Sequence, residues 1–152
     1  MSVEAVKNFF NANNFHADLI QLDECSATVD LAAEALGVRP ELIAKSLAFK
    51  LKDRNIIVVT CGNARIDNKK YKTLFSTKAK MLTSEEVLEY TGHPVGGVCP
   101  FGVKTDIQIY LDESLREFEY VYPAAGSTHT AVKISVDDLE KLTEGIWVNI
   151  CQ

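Results

Sequence analysis

The chain has 152 residues, with sixteen Lys and Arg against twenty-one Asp and Glu, a net charge of −5. Hydrophobic residues make up 47% and charged residues 24%, which suits one globular domain with its own core and speaks against disorder or a split into two domains. The acidic balance argues against coating nucleic acid through bulk charge, but leaves a local basic site open.

Ser2 is placed to cap a helix over 2–13, with Val3, Val6, Phe9 and Phe10 on one stripe. The early Glu4 and the lack of an apolar run read as no secretory signal, and no window is long enough to cross a membrane. A short strand follows at 19–22. Thr28 caps a second helix, Gly37 stops it, and Pro40 opens a turn over 40–44. Strands are predicted at 46–51 and 55–61. The continuous run Ile56-Ile57-Val58-Val59 suggests that the second is central and covered on both faces. Helices are predicted at 66–75 and 83–90. A loop over 92–102 precedes strands at 106–111, 119–122 and 130–134, a helix at 136–142 and a last strand at 146–150. Irregular alternation of this kind predicts an α+β domain, a mixed and partly closed sheet or barrel flanked by helices. Cys25, Cys61, Cys99 and Cys151 are widely spaced and form no CxxC pair, as expected of reduced thiols in a cytoplasmic protein.

The most informative stretch is Gly92-His93-Pro94-Val95-Gly96-Gly97-Val98-Cys99-Pro100-Phe101-Gly102, with four glycines and two prolines in eleven residues. Such a loop can offer several amides to a carbonyl oxygen or a phosphate; equally, it can be a plain connection. It matches neither the dinucleotide nor the Walker glycine spacing. Arg65, Lys69, Lys70, Lys72, Lys78 and Lys80 form a second feature, six basic residues in sixteen positions opposed only by Asp67. The run reads either as a surface for nucleic-acid phosphates or as a solvated helix face. Acidic residues crowd the C-terminal third instead. Tyr71, Phe75 and Trp147 read as core.

Four blocks in order make the sequence recognisable. They are Thr28…Ala32-Ala33…Leu36-Gly37-Val38 leading to Ile43-Ala44-Lys45-Ser46-Leu47, then Asn63-Ala64-Arg65-Ile66-Asp67, then Thr91-Gly92…Gly96-Gly97-Val98-Cys99-Pro100-Phe101-Gly102, and last Ala124-Ala125-Gly126-Ser127 followed by Ile134 and Asp138-Leu139. Over 28–142 the chain resembles the YbaK family, the prolyl-tRNA synthetase-associated editing domains. The resemblance implies a mixed sheet curled into a barrel-like core, and a free-standing deacylase that hydrolyses the ester of mischarged tRNA. The amino acid would be small, such as alanine or cysteine, and the carrier the proline tRNA. Lys45 matches the family's most characteristic functional residue; between a helix turn and an apolar strand its ammonium could bind a terminal phosphate or orient the aminoacyl ester, or else snorkel at the strand end. Gly96 and Gly97 match its substrate-facing loop and would supply backbone donors to the reacting carbonyl.

Ser46, Val98, Cys99 and Pro100 fall at the borders of the substrate in this reading. Gly126, Ser127 and His129 lie on a turn that borders the amino-acid pocket in related deacylases, with His129 otherwise an exposed turn residue. Cys99 reads as a small loop residue rather than a nucleophile. Pocket walls are also expected from 19–22 and from the helix after Thr28. The scattered Cys and His residues have no metal spacing, and neither a metal nor a cofactor is expected. The partner is the acceptor end of aminoacyl-tRNA, approached through the basic run, with a transient synthetase contact compatible with this. The competing reading is a non-catalytic tRNA- or nucleotide-binding module of the same fold. A metal- or thiol-dependent hydrolase fits less well.

Overall fold

Local chemistry sets most element boundaries in the computed structural model, which describes residues 2–152. Helix α1 runs Ser2–Ala12, and strand β1 is Asp18–Gln21. Helix α2 (Val29–Leu36) starts where the Thr28 hydroxyl accepts the Leu31 amide, and ends at Gly37 with φ +70°. Strands β2 (Ile43–Lys50) and β3 (Asn55–Cys61) form a hairpin. Helix α3 (Asn68–Phe75) starts at Asp67, whose carboxylate accepts the Lys69 and Lys70 amides. Helix α4 (Ser84–Thr91) carries a capping box between Thr83 and Glu86. Strands β4 (Gln108–Asp112), β5 (Tyr120–Pro123) and β6 (Thr130–Ser135), helix α5 (Val136–Thr143) and strand β7 (Ile146–Val148) complete the chain.

Four boundaries differ from expectation by two residues or more: the starts of β2 and α3, the start of β4, at Gln108 instead of residue 106, and the end of β7, at Val148 instead of residue 150. Strand β2 begins at Ile43 instead of residue 46, because Ile43 and Ala44 pair with Tyr122 and Pro123 of β5. Helix α3 begins two residues late, because Asp67 is its cap and Ile66 bridges to Cys151.

The seven strands form one mixed sheet in the order β1-β6-β5-β2-β3-β4-β7. It is an α+β fold, with the sheet open and β1 and β7 as its edges. Strand β3 lies between antiparallel β2 and parallel β4 and is buried from Ile56 to Cys61, which is why its sequence is apolar without alternation. On one face Ala44, Ala48, Ile57 and Val59 pack with Val6, Phe10, Phe101 and Leu139. On the other, Phe49, Ile56 and Val58 pack with Tyr71, Tyr110 and Ile150. Tyr71 stacks between Phe49 and Phe75, at 5.1 and 4.8 Å between ring centroids. Trp147 is only half-buried, beneath the Arg116 guanidinium at 4.1 Å. No helix among the described residues is long and apolar enough to cross a membrane.

Candidate active site

Strand β2 is paired with β3 along Ala44–Lys50 but with β5 only at Ile43 and Ala44. Beyond that point a cavity of about 400 Å³ opens beside β2. Its walls come from α2 (Val29, Ala32, Leu36), β2 (Lys45, Ser46, Leu47), the start of α4 (Ser84, Val87), the glycine loop (Val95, Gly96, Val98), and Tyr122 and Ala131. No carboxylate is among them. The segment 19–22 takes no part, whereas α2 does.

Lys45 lies opposite Thr60 in the hairpin. Strand alternation puts it with Leu47 and Phe49 on the face that α3 covers. Its ammonium donates to the Ala64 carbonyl at 2.5 Å, so the Asn63-Ala64-Arg65 stretch holds the side chain in place. Partial removal from water keeps the ammonium below the ordinary lysine value of 10.5; Cys151 and Cys61 oppose this shift, and Arg65 adds to it. The neighbouring Ser46 hydroxyl is shielded and has no hydrogen-bond partner among the described residues.

The glycine loop is clamped from behind. The Gly97 amide already donates to the Pro94 carbonyl at 2.9 Å, so it is committed to a turn. A Cβ on Gly97 would stand 2.7 Å from the Ser127 nitrogen, and one on Gly96, which has φ +89°, would stand 2.9 Å from the Ala27 Cβ. Both positions therefore require glycine for close approach. The amides of Gly96 and Val98 have no acceptor among the described residues, and both residues line the cavity.

His93, Cys99 and Pro100 are buried behind this wall. The His93 Nε2 donates to the Phe101 carbonyl at 2.7 Å, and its Nδ1 accepts from the Ser2 hydroxyl. Cys99 Sγ is 3.6 Å from His93 Nε2, but that nitrogen already serves Phe101 and offers no base. Burial pushes the Cys99 thiol up to about 12, only partly offset by bonds to the Phe101 and Gly126 backbone. In the 126–129 turn, the Ser127 hydroxyl meets Thr130 Oγ1 at 2.9 Å and accepts the His129 amide at 3.1 Å. His129 Nδ1 meets the Thr128 hydroxyl at 2.9 Å. Gly126, Ser127 and His129 thus brace the loop and do not line the cavity.

The family of aminoacyl-tRNA editing domains matches residues 23–142. The chain belongs to that family. Over its full length it is 43% identical to the protein YwhH of Bacillus subtilis, whose name assigns no function and of which the match covers 98%. It is 27% identical to a candidate Cys-tRNA(Pro)/Cys-tRNA(Cys) deacylase of Enterococcus faecalis, over 81% of this chain and 76% of that one. A solved structure described as a candidate trans-editing enzyme for prolyl-tRNA synthetase superposes with a TM-score of 0.92 at 29% identity, covering 99% of this chain and 97% of that one.

In this editing domain the basic run is exposed throughout, at Arg65, Lys69, Lys70, Lys72, Lys78 and Lys80. None of the six is in an ion pair among the described residues. Lys70 is partly committed, donating to the Cys151 carbonyl at 2.8 Å. Lys80 directly precedes Met81, which lines the cavity and is 55% exposed, so the basic surface reaches the cavity mouth. No three His, Cys, Asp or Glu side chains among the described residues are grouped to hold a metal ion. Val29 and Leu36 belong to the helix after Thr28, from which the sequence predicts walls, but it does not single out Leu82, Val87 or Tyr122. These three meet the helix only through tertiary packing, and no local sequence signal marks them.

Proposed function

We propose that this editing domain is a deacylase acting in trans, which hydrolyses the ester between a small amino acid and the 3′ end of tRNA, with the proline tRNA as carrier. The observation that carries this reading is Lys45, a cation held by Ala64 on the wall of a small, mostly apolar cavity at the end of a basic surface. Lys45 would hold the terminal phosphate or the ester, and Arg65, Lys69, Lys70, Lys72, Lys78 and Lys80 would approach the acceptor stem. The committed Gly97 amide shifts the role of oxyanion donor to the amides of Gly96 and Val98, while Gly97 keeps their wall in position. Water adds to the acyl carbon, and the tetrahedral oxyanion collapses by expelling the ribose oxygen, which takes up a proton. The ester is already activated, so no side-chain nucleophile is needed. The likeness to proteins named for Cys-tRNA deacylation and prolyl-tRNA editing supports the same reading, which places the protein's work in the cytoplasm, where tRNA is charged.

The test is release of amino acid from tRNA charged with alanine, cysteine, serine or proline. Release from a mischarged proline tRNA with the correct prolyl ester spared supports the proposal. No release from any of them favours a binding module of the same fold.

A further inference from the structure

The pairing on one edge of β2 is interrupted. Ile43 and Ala44 pair with Tyr122 and Pro123. Further along the same edge, the Leu82 amide donates to the Ala48 carbonyl at 3.0 Å and the Lys50 amide to the Lys80 carbonyl at 2.8 Å. In a strand, the N–H and C=O of one residue point to one edge and those of the next residue to the other. Ala48 and Lys50 therefore assign the even-numbered residues to this edge, and Ser46 falls in the gap between the two covered stretches. Among the described residues nothing pairs there with the Ser46 N–H, the Ser46 carbonyl or the Ala48 N–H. The Ser46 hydroxyl has no partner either. Buried main-chain groups are nearly always paired; here Ala48 is buried and Ser46 half-buried, so these groups are left to water or to a ligand in the cavity. Ser46 and Ala48 both line the cavity, with Ala124 on one flank and Leu82 on the other.

We propose that this open edge of β2 binds the amino-acid part of the substrate as though it were one residue of an added strand. An α-aminoacyl group carries its amine and acyl oxygen on the same N–Cα–C unit as a peptide residue. Laid along β2, its amine donates to the Ser46 carbonyl in either strand direction. Its acyl oxygen accepts from the N–H of Ser46 if the direction is antiparallel, or of Ala48 if it is parallel. This explains how a cavity with no carboxylate can receive an amine: a main-chain carbonyl takes it. The assignment rests on the deacylase reading and adds the element that recognises what all aminoacyl esters share.

The probe is 3′-alanylamino-3′-deoxyadenosine, in which an amide replaces the labile ester, compared with its 3′-propionylamino counterpart, which lacks the amine. Titration of the ¹⁵N-labelled protein should move the Ser46 and Ala48 amide protons downfield and slow their exchange. The propionyl probe should bind about tenfold more weakly, the loss of one hydrogen bond to a charged group. Equal binding of the two probes, shifts confined to Gly96 and Val98, or no binding at millimolar concentration overturns the assignment. Amino-acid release from mischarged tRNA, measured on the same preparation, separates the two ideas. Release with an unmoved edge sinks the edge alone, and a moved edge without release sinks the deacylase reading alone.

Discussion

The Gly97 carbonyl accepts the Gly126 amide at 3.1 Å, and this bond locks the glycine loop to the β5–β6 turn. The approach is this close because Gly97 carries no Cβ: one there would stand 2.9 Å from the Gly126 carbonyl carbon. Gly126, with φ +97°, lies in turn against Ser2, which also bonds His93. The cavity wall at Gly96 and Val98 is therefore fixed by contacts behind it.

Gly97→Ala should lose stability and activity together. The added methyl meets the Ser127 backbone at 2.7 Å, and backbone cannot rotate away as a side-chain tip can. The expected cost is about 1–3 kcal/mol, read as a lowered Tm. Deacylation should fall further than stability predicts, because the amides of Gly96 and Val98 shift with the loop. An unchanged Tm would show that the clamp is slack.

Lys45 should set an alkaline limit on activity. Its ammonium pKa is depressed below 10.5, first by burial, so the charged form is lost at a lower pH than for a free lysine. Catalysed deacylation, corrected for the uncatalysed hydrolysis of the ester, should decline over that range. Lys45→Arg, which stays charged, should remove the decline, and Lys45→Ala should cost on the order of 10²-fold, similar to the loss of one transition-state donor. A Lys45→Ala variant with full activity would remove the residue from the mechanism.

Much of this was legible in the sequence because it is local. The caps at Thr28 and Thr83 and the stop at Gly37 depend on a few neighbouring residues. The apolar run at β3 announced a strand covered on both sides. Two misplaced starts have a non-local origin. Ile43 joins β2 through a partner some eighty residues away, and Ile66 leaves α3 to bridge Cys151. At the site, the pattern marked Lys45 and the glycine pair, but it could not show that the Gly97 amide is spent on Pro94 or that His129 turns to Thr128. Those facts depend on dihedral angles and cross-chain contacts. The break in the β2 edge at Ser46 is invisible for the same reason, since it is a mismatch between two partners remote in sequence.

Cys99 should be chemically silent. Its thiol is fully buried and pushed up to about 12, whereas Cys25 is exposed. Iodoacetamide should label Cys25 in the native protein and reach Cys99 only after unfolding. Cys99→Ala should keep deacylation within a few-fold and lower stability by roughly 1 kcal/mol through lost packing. Activity that vanishes in this variant while Tm holds would restore a thiol mechanism.

His93 should make the fold acid-sensitive. Burial holds its imidazole below 6.5, partly countered by the Phe101 carbonyl. The unfolded chain then binds a proton more readily than the native one, so stability present above pH 6.5 is lost as pH falls from there through the lower native value. His93→Gln should be less stable at pH 7.5 yet lose less on acidification between pH 7 and 5. A parallel pH dependence of Tm in both proteins would place the acid sensitivity elsewhere.

The basic surface can be tested apart from chemistry. Lys69, Lys72 and Lys78 are exposed and line a hollow beside α3, and none of them lines the cavity beside Lys45. If they contact tRNA phosphates, replacing each with Gln should weaken binding to matched and mismatched tRNA alike. Each change should reduce the slope of log affinity against log salt by about 1. With a minimal aminoacyl ester that ends at the terminal adenosine, the same variants should match the unaltered protein, because no stem phosphate remains to be held. An unchanged salt slope with full-length tRNA would make this stretch of the charge run a solvated helix face.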